Sequence, residues 1–207
     1  MVVGTTSHAG KSLITAAICR LLVRQGFNVT PFKGQNMALN AYITADDQEM
    51  GHAQAVQAWA AKIEPRVEMN PILLKPQGDM TSQVIMMGTA VGRVQAADYY
   101  RDYFDRGWAA ITSCLDQLGT EFDYIVCEGA GSPAEINLKH RDLTNMRVAS
   151  YLQANTVLVA DIDRGGVFAH IVGTLELLEP EERALIKGFI INKFRGQRSL
   201  LESGITW

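Results

Sequence analysis

A glycine-bounded segment near the start of the chain has the residues needed to bind phosphate. It reads Gly4-Thr5-Thr6-Ser7-His8-Ala9-Gly10-Lys11-Ser12, between an apolar stretch at residues 1–3 and a helical pattern from Leu13 to Gln25. In a strand, loop and helix of this order, the backbone N–H groups of the loop surround phosphate oxygens. The positive end of the helix dipole adds to the attraction. The segment therefore predicts a phosphate-binding loop.

The last two side chains of this segment predict a nucleoside triphosphate site. Lys11 is expected to neutralise charge on the β- and γ-phosphates, and the Ser12 hydroxyl is expected to ligate Mg²⁺. Five residues separate Gly4 from Gly10, which is one more than in the commonest form of this loop. The loop is therefore a longer variant.

Acidic residues in two places are candidates for further metal ligands. Glu128 ends an apolar strand pattern that starts at Tyr124, and a carboxylate there is costly unless it is paired or binds a metal. Glu128 is thus the best candidate for the acid that orders Mg²⁺. Asp46, Asp47 and Glu49 precede an Ala- and Gln-rich helical pattern. They either compensate the helix dipole or supply a second ligand, and the phosphate loop favours the second interpretation, with Asp46 and Glu49 both open.

Three other polar residues follow predicted strands. Lys33, Asp161 and Asn192 each stand at the carboxyl end of an apolar run, which is where parallel α/β sheets bind their ligands. The Asn192 amide can both donate and accept hydrogen bonds, so it could contact a purine base. Asp161 and Asp163 could bind metal-bound water or substrate, or could form ion pairs with Arg164.

The order of the elements predicts the fold class. Strand and helix patterns alternate, and the strands lack period-two alternation. This indicates an α/β fold of the P-loop NTPase type, with a mostly parallel sheet and helices on both faces, in one domain over residues 1–207. Residues 34–40 are expected to form a polar loop. A long helix is expected from Gln95 to Leu118, with its apolar stripe in the core.

Composition excludes several classes of protein. The chain has 207 residues, 47% of them hydrophobic, and a net charge of −3, so there is no electrostatic support for binding nucleic acid or an acidic membrane. No apolar run approaches the ~18 residues that a membrane span needs, and no signal peptide precedes the loop. The three cysteines lack a CxxC spacing, which indicates buried thiols in a reducing cytoplasm. The short first strand and abrupt end suggest a fragment of a longer chain, and a homo-oligomer is possible.

Four segments together resemble the cobyric acid synthase family. They are residues 2–12, 31–37, 127–135 and 161–166. The resemblance is to the N-terminal ATP-dependent domain of that family, which shares its fold with dethiobiotin synthetase, and it runs over essentially all 207 residues. Residues 33–37 and 70–76 are its narrowest signatures.

The resemblance implies an ATP- and Mg²⁺-dependent carboxylate amidoligase of cobalamin synthesis. The family amidates the b, d, e and g carboxylates of adenosylcobyrinic acid a,c-diamide through acyl phosphates. By resemblance, Lys11 and Lys33 are catalytic, and Asn192 matches a base-contacting Asn. Ser12, Glu128 and an acid from residues 46–49 would hold Mg²⁺, with Glu49 favoured over Asp46. Ammonia would come from the family's C-terminal glutaminase domain, which nothing in these residues matches.

Three related functions are alternatives. Cobyrinic acid a,c-diamide synthase and dethiobiotin synthetase differ from this family in the 33–40 segment, where Gln35, Asn36 and Asn40 suit an amide-rich corrinoid. A partition-type ATPase would carry an extra lysine early in its phosphate loop, and no lysine precedes Gly10 here.

Overall fold

The computed structural model describes residues 1–78 and 80–207, with the side chains of Ala96, Ala97, Tyr100 and Asp102 left aside. In chain order the strands are β1 (Val2–Gly4), β2 (Val29–Phe32), β3 (Gln35–Met37), β4 (Ala41–Ile43), β5 (Glu49–Gly51), β6 (Ile72–Pro76), β7 (Thr81–Met86), β8 (Thr89–Gln95), β9 (Tyr124–Cys127), β10 (Thr156–Asp161) and β11 (Ile186–Asn192). The helices are α1 (Lys11–Arg24), α2 (His52–Ala60), α3 (Ala96–Glu121), α4 (Met146–Leu152), α5 (Val167–Leu177), α6 (Pro180–Leu185) and α7 (Glu202–Thr206).

A parallel sheet forms the centre of the molecule. β1 pairs with β10, β10 with β11, and β2 with β9, all in parallel. A parallel bridge between Val2 and Glu128 joins the two groups, so the strand order is β2-β9-β1-β10-β11. All five carboxyl ends therefore lie at one edge. The residues that follow β1, β2 and β9 (the phosphate loop, Lys33 and Glu128) and the last residues of β10 and β11 (Asp161 and Asn192) are brought to that edge.

Helices cover both faces of this sheet, as expected. Val2 packs in a cluster with Ile14 and Ile18 of α1, whereas its neighbour Val3 packs with Val167 and Ile171 of α5. Successive residues of a strand point to opposite faces, so α1 and α5 lie on different sides. The structure confirms the predicted α/β class with a mostly parallel sheet.

The apolar stripe of α3 is also confirmed as core. Ile111, Leu115 and Leu118 are buried in the largest cluster, and Phe104 and Trp108 pack against its side. These five residues recur every three or four positions, so one face of the helix packs on the sheet.

The segment between β2 and α3 departs from simple alternation of strand and helix. The chain passes from β2 through Lys33 and Gly34 into β3, which pairs in parallel with β6. The expected polar loop over residues 34–40 is therefore partly a strand. Gln35 and Asn36 of this strand are polar, but backbone pairing with an apolar neighbour decides the conformation here, because strand preference depends strongly on context.

A second sheet, of order β3-β6-β7-β8, has antiparallel pairs that the sequence reasoning missed in part. β7 pairs antiparallel with β6 on one side and with β8 on the other, and β8 was not expected. Met87 and Gly88 form the β7–β8 turn with φ of 46° and 74°, the geometry of a two-residue hairpin turn. The sequence contains little indication of this turn, because Met rarely adopts positive φ.

The acids at residues 46–49 lie on a hairpin and not at a helix start. Glu49 begins β5, which pairs antiparallel with β4, and α2 starts three residues later at His52 with no acid in its first turn. The interpretation of these acids as helix-dipole compensation is therefore wrong. The cluster lies too far ahead of the helix to act on its dipole, which falls off within one turn.

No helix in the described part of the chain is long and apolar enough to cross a membrane.

The three thiols are free and buried. Burial raises the pKa of Cys19 and of Cys114 to about 12 and that of Cys127 to about 11. The reactive form of a cysteine is its thiolate, so native protein holds these residues in an unreactive state.

We predict that a disulfide reagent such as DTNB, at mildly alkaline pH, modifies none of the three thiols in the native protein. In concentrated guanidinium all three should react. Absorbance of the released thiolate gives the number of modified thiols in native and in denatured protein. Rapid modification of any thiol in native protein would contradict the burial of these residues.

Candidate active site

Glu128 lies at the centre of the carboxyl edge of the sheet. It follows β9 and is 2% exposed. Four side chains donate hydrogen bonds to its carboxylate: Ser12 Oγ to Oε1 at 2.7 Å, Lys33 Nζ to Oε1 at 3.1 Å, Gln57 Nε2 to Oε2 at 2.6 Å and Gln54 Nε2 to Oε2 at 3.3 Å. The carboxylate thus connects the start of α1, the end of β2 and one face of α2.

This set of donors explains how a charge can be buried there. The side chains of Lys33 and Glu128 are 10% and 1% exposed, and a buried ion pair is tolerable only when further hydrogen bonds satisfy its remaining atoms. The two glutamine amides and the Ser12 hydroxyl supply those bonds. The arrangement therefore holds a carboxylate in place beside the phosphate loop.

Lys11 lies beside this pair. Its ammonium group donates to the carbonyl oxygen of Thr6 at 2.9 Å and to that of Gly131 at 2.8 Å. Burial lowers the pKa of Lys11 to about 8; nearby Glu128 opposes this shift and nearby Lys33 adds to it. Two lysines thus converge on one buried carboxylate, which leaves a net positive site suited to an anion.

The backbone of the phosphate loop is also suited to binding an anion. Within the described residues, no backbone N–H group from 6 to 13 donates a hydrogen bond to the protein. The loop carbonyls of Thr6, His8 and Ala9 instead accept bonds from lysine and asparagine side chains. A run of free N–H groups at a helix start is a binding site for phosphate oxygens.

Positive φ angles shape this loop. His8 has φ of 60° and Gly10 has φ of 104°. A Cβ atom at Gly10 would lie 2.1 Å from Asn192 Nδ2, because that amide donates to Ala9 O at 2.8 Å. Only glycine fits at position 10, and Asn192 fixes the loop from β11.

The loop after β9 has a comparable clamp. Asn145 donates to Ala130 O at 2.7 Å and accepts from Ala130 N at 3.2 Å. A Cβ atom at Gly129 would lie 2.2 Å from Asn145 Oδ1, so a larger residue there would displace the Asn145 amide. Asn145 therefore holds the segment that carries Glu128 at one end and Gly131, the Lys11 partner, at the other.

Asp161 takes part in ion pairs, as one of the two interpretations of the sequence predicts. Its carboxylate contacts Lys193 Nζ at 2.7 Å and Arg164 Nε at 3.6 Å, and it accepts the Asp163 N–H at 3.0 Å. The hydrogen bond from Lys193 lowers the Asp161 pKa. Lys193 also donates to His8 O, so the cluster supports the phosphate loop.

The structure gathers some of the candidate residues and leaves others apart. Lys11, Ser12, Lys33 and Glu128 converge, and Asn192 contacts the loop made by Thr6, Ser7, His8, Ala9 and Gly10. The acids of the β4–β5 hairpin do not join them in the contacts described: Glu49 pairs with Lys75 of β6, and Asp46 is exposed in the turn. Among the residues described, no three His, Cys, Asp or Glu side chains form a metal cluster.

Sequence reasoning missed Gln54, Gln57 and Asn70 in this site, and it related Asn36 to the corrinoid and not to this hydrogen-bond network. Gln54 and Gln57 are one helical turn apart on α2 and are 0% and 1% exposed. Asn36 donates to Gln54 Oε1 at 2.9 Å, and Asn70 Nδ2 donates to Lys33 O at 2.9 Å. The i, i+3 spacing of two glutamines on an otherwise alanine-rich face was the available signal.

We predict that Gln57→Met, which keeps the length of the side chain but removes its amide, lowers the free energy of unfolding by about 1–3 kcal/mol, the usual cost of an unsatisfied buried group. Urea denaturation measures the change. Gln117→Met is the matched control, because Gln117 also donates to a glutamate from a helix but is exposed; it should cost less than about 0.5 kcal/mol. Equal costs for the two variants would contradict the role of Gln57.

Comparison with known proteins agrees with this geometry. The model of the CbiA family, described as the CobQ/CobB/MinD/ParA nucleotide binding domain, matches residues 1–207. Curated cobyric acid synthases from Acaryochloris marina, Synechocystis sp. and Rippkaea orientalis are 82%, 76% and 77% identical over 207 residues. Each match covers 100% of this chain and 42% of the relative, so the chain spans less than half of their length. The resemblance predicted from the sequence is confirmed, and the chain belongs to the CobQ/CobB/MinD/ParA nucleotide-binding domain family.

Proposed function

We propose that this chain is the ATP-dependent amidoligase part of a cobyric acid synthase. The observation that carries the proposal is the convergence of Lys11, Lys33 and Ser12 on the buried Glu128 carboxylate, beside a loop with free N–H groups. The identity of 82% to a protein of that name supports the choice within the family.

The proposed reaction begins with phosphoryl transfer. An oxygen of a substrate carboxylate attacks the γ-phosphorus of ATP, the bond to the β-phosphate oxygen breaks, and ADP leaves with that electron pair. Such a transfer needs positioning and charge neutralisation more than covalent help. Lys11 and Lys33 supply positive charge, and the N–H groups of the loop orient the phosphates. The product on the substrate is an acyl phosphate.

The residues present fit a magnesium ion. Mg²⁺ in nucleotide sites binds one or two protein oxygens together with substrate phosphates and water, so a cluster of three acids is not required. Ser12 Oγ and Glu128 Oε1 are two such oxygens, 2.7 Å apart. Gln57 Oε1 is a buried acceptor with no hydrogen-bond partner among the described residues. When bound there, Mg²⁺ would neutralise charge that develops on the phosphate oxygens. Glu49 and Asp46 are weaker candidates, because Glu49 is paired with Lys75.

The second step forms the amide. Ammonia attacks the acyl carbon, the carbon–oxygen bond to phosphate breaks, and the nitrogen loses a proton to give the amide and inorganic phosphate. In the cobyric acid synthase family the ammonia comes from glutamine, through a glutaminase domain. The substrate we propose is adenosylcobyrinic acid a,c-diamide, amidated at its b, d, e and g carboxylates.

The nucleotide would lie along the loop with its base near β11. Asn192 ends that strand and its amide already contacts the loop at Ala9. Its carbonyl oxygen remains available to accept from a purine amino group. We therefore propose Asn192 as a contact for the adenine.

The setting of the reaction is also a proposal. Three free, buried thiols suit a reducing compartment such as the cytoplasm.

We predict that the chain, supplied with ATP, Mg²⁺ and ammonium chloride, forms ADP and corrinoid amide in equal amounts when adenosylcobyrinic acid a,c-diamide is present. Coupled ADP detection and mass spectrometry of the corrinoid measure the two products. Diaminopelargonate, the substrate of dethiobiotin synthetase, should not stimulate ADP formation. Stimulation by that diamine alone, or ATP-dependent dimerisation without any acid-dependent turnover, would contradict the proposal.

Lysine variants test the role of the site in the same assay. Lys11→Met should lower the rate of amide formation at least ~100-fold, the usual effect of losing one donor to transition-state charge. Lys187→Met is the matched control, since Lys187 also donates to a carbonyl oxygen but lies exposed on β11. Equal rates in the two variants would exclude Lys11 from catalysis.

A further inference from the structure

A cavity of about 520 Å³ adjoins the proposed phosphoryl-transfer site. Gly131 lines it, and the Gly131 carbonyl oxygen accepts a hydrogen bond from Lys11 at 2.8 Å. Gln35 lines it as well, two residues after Lys33. The cavity is therefore lined by one residue that contacts Lys11 and by one that is close to Lys33 in the sequence. A substrate bound in it could present a group to the terminal phosphate.

Arg147, like Lys139 and Arg141, is a cation that lines this cavity. Its guanidinium carbon lies 4.5 Å from the centroid of the Trp108 ring and 4.9 Å from that of Phe104. Within the described part of the chain no carboxylate forms an ion pair with the Arg147 side chain. Lys139, which also lines the cavity, is instead paired with Glu179 and Glu182 at 3.2 and 2.7 Å.

The nearest acid in the sequence is engaged elsewhere. The Asp142 carboxylate accepts the backbone N–H groups of Thr144 at 2.9 Å, Asn145 at 2.8 Å and Arg147 at 3.2 Å. It thus fixes the backbone at Arg147. The guanidinium lies over two aromatic rings, and among the described residues its N–H groups donate no hydrogen bond, so they are available to a carboxylate.

We propose that this cavity is the binding site for the acid substrate, and that Arg147 recognises one of its ionised b, d, e and g carboxylates. The inference rests on the proposed function and names the site where its substrate enters. A cavity of about 520 Å³ is in the range that holds a small organic ligand. It accepts a carboxylate-bearing arm of the corrinoid and the adjoining part of the ring, while the rest of the macrocycle stays outside. Arg147 acts in binding and takes no part in the chemistry.

The test compares binding of adenosylcobyrinic acid a,c-diamide to the wild-type chain and to three variants. Equilibrium dialysis follows the corrinoid by its own visible absorption. Arg147→Gln should weaken binding about tenfold or more, as expected for loss of a hydrogen-bonded charge pair. Arg147→Lys keeps the charge but not the planar fork of N–H groups. Its affinity for the corrinoid should therefore lie between those of the wild type and of Arg147→Gln. Arg20→Gln, an exposed arginine of α1 outside the cavity, is the matched control and should bind like the wild type.

Two further measurements separate recognition from damage to the fold. Mg·ADP should bind all variants with equal affinity, because Arg147 lies outside the nucleotide site. If Arg147→Gln loses Mg·ADP binding, its fold is damaged. The role of Arg147 is then tested by comparing the affinities of Arg147→Lys and of the wild type for the corrinoid acid. Cobyric acid, in which the b, d, e and g carboxylates are already amides, should lose much less affinity from Arg147→Gln than the acid does.

Failure of this inference is distinct from failure of the proposed function. If the wild type binds the acid and Arg147→Gln binds it equally well, Arg147 does not recognise the substrate and the amidoligase proposal is untouched. An equal loss for the acid and for cobyric acid would likewise overturn the role of Arg147 in carboxylate recognition. If the wild-type chain does not bind the acid at all, the proposed function itself is wrong.

Discussion

The buried carboxylate of Glu128 is the interaction on which the rest of the site depends. It is 2% exposed and accepts hydrogen bonds from residues on three elements. An isolated charge at that depth would be strongly unfavourable. The fold therefore has to bring Ser12, Lys33 and the two α2 glutamines to one point. This requirement places the phosphate loop beside the end of β2 and explains why α2, which carries no charged group of its own into the site, packs against α1.

The same contacts set the electrostatics of the edge. Two lysines face one carboxylate, and burial lowers the pKa of Lys11. The site thus has an excess of positive charge and a loop of free N–H groups, and an anion with several oxygens would satisfy both. Asn192 and Lys193 support the loop from β11, and Asn145 supports the segment after β9. The loops of the site are therefore held by side chains of neighbouring strands and helices, so little rearrangement is needed to receive phosphate.

Much of this arrangement could be predicted from the sequence, for identifiable reasons. Lys11 and Ser12 belong to a local motif whose spacing specifies its geometry, and Lys33 and Glu128 follow apolar strands whose ends meet in any parallel sheet. The hairpin that carries Asp46 and Glu49 was missed because its strands have three residues each and carry little pattern. β3 depends on pairing with β6, which is distant along the chain. Gln54 and Gln57 were missed because a buried amide and an exposed one look alike in a helical pattern.

The central claim is that Glu128 and Ser12 form one metal and phosphate centre with Lys11 and Lys33. The most direct test is a crystal structure of the chain with Mn²⁺, ADP and a phosphate analogue such as aluminium fluoride, in which anomalous scattering locates the metal. The account predicts a manganese peak within bonding distance of Ser12 Oγ and beside the Glu128 carboxylate, with both lysine ammoniums in contact with the phosphate analogue. A peak at Asp46 or Glu49 instead, or a phosphate analogue out of reach of Lys33, would contradict it.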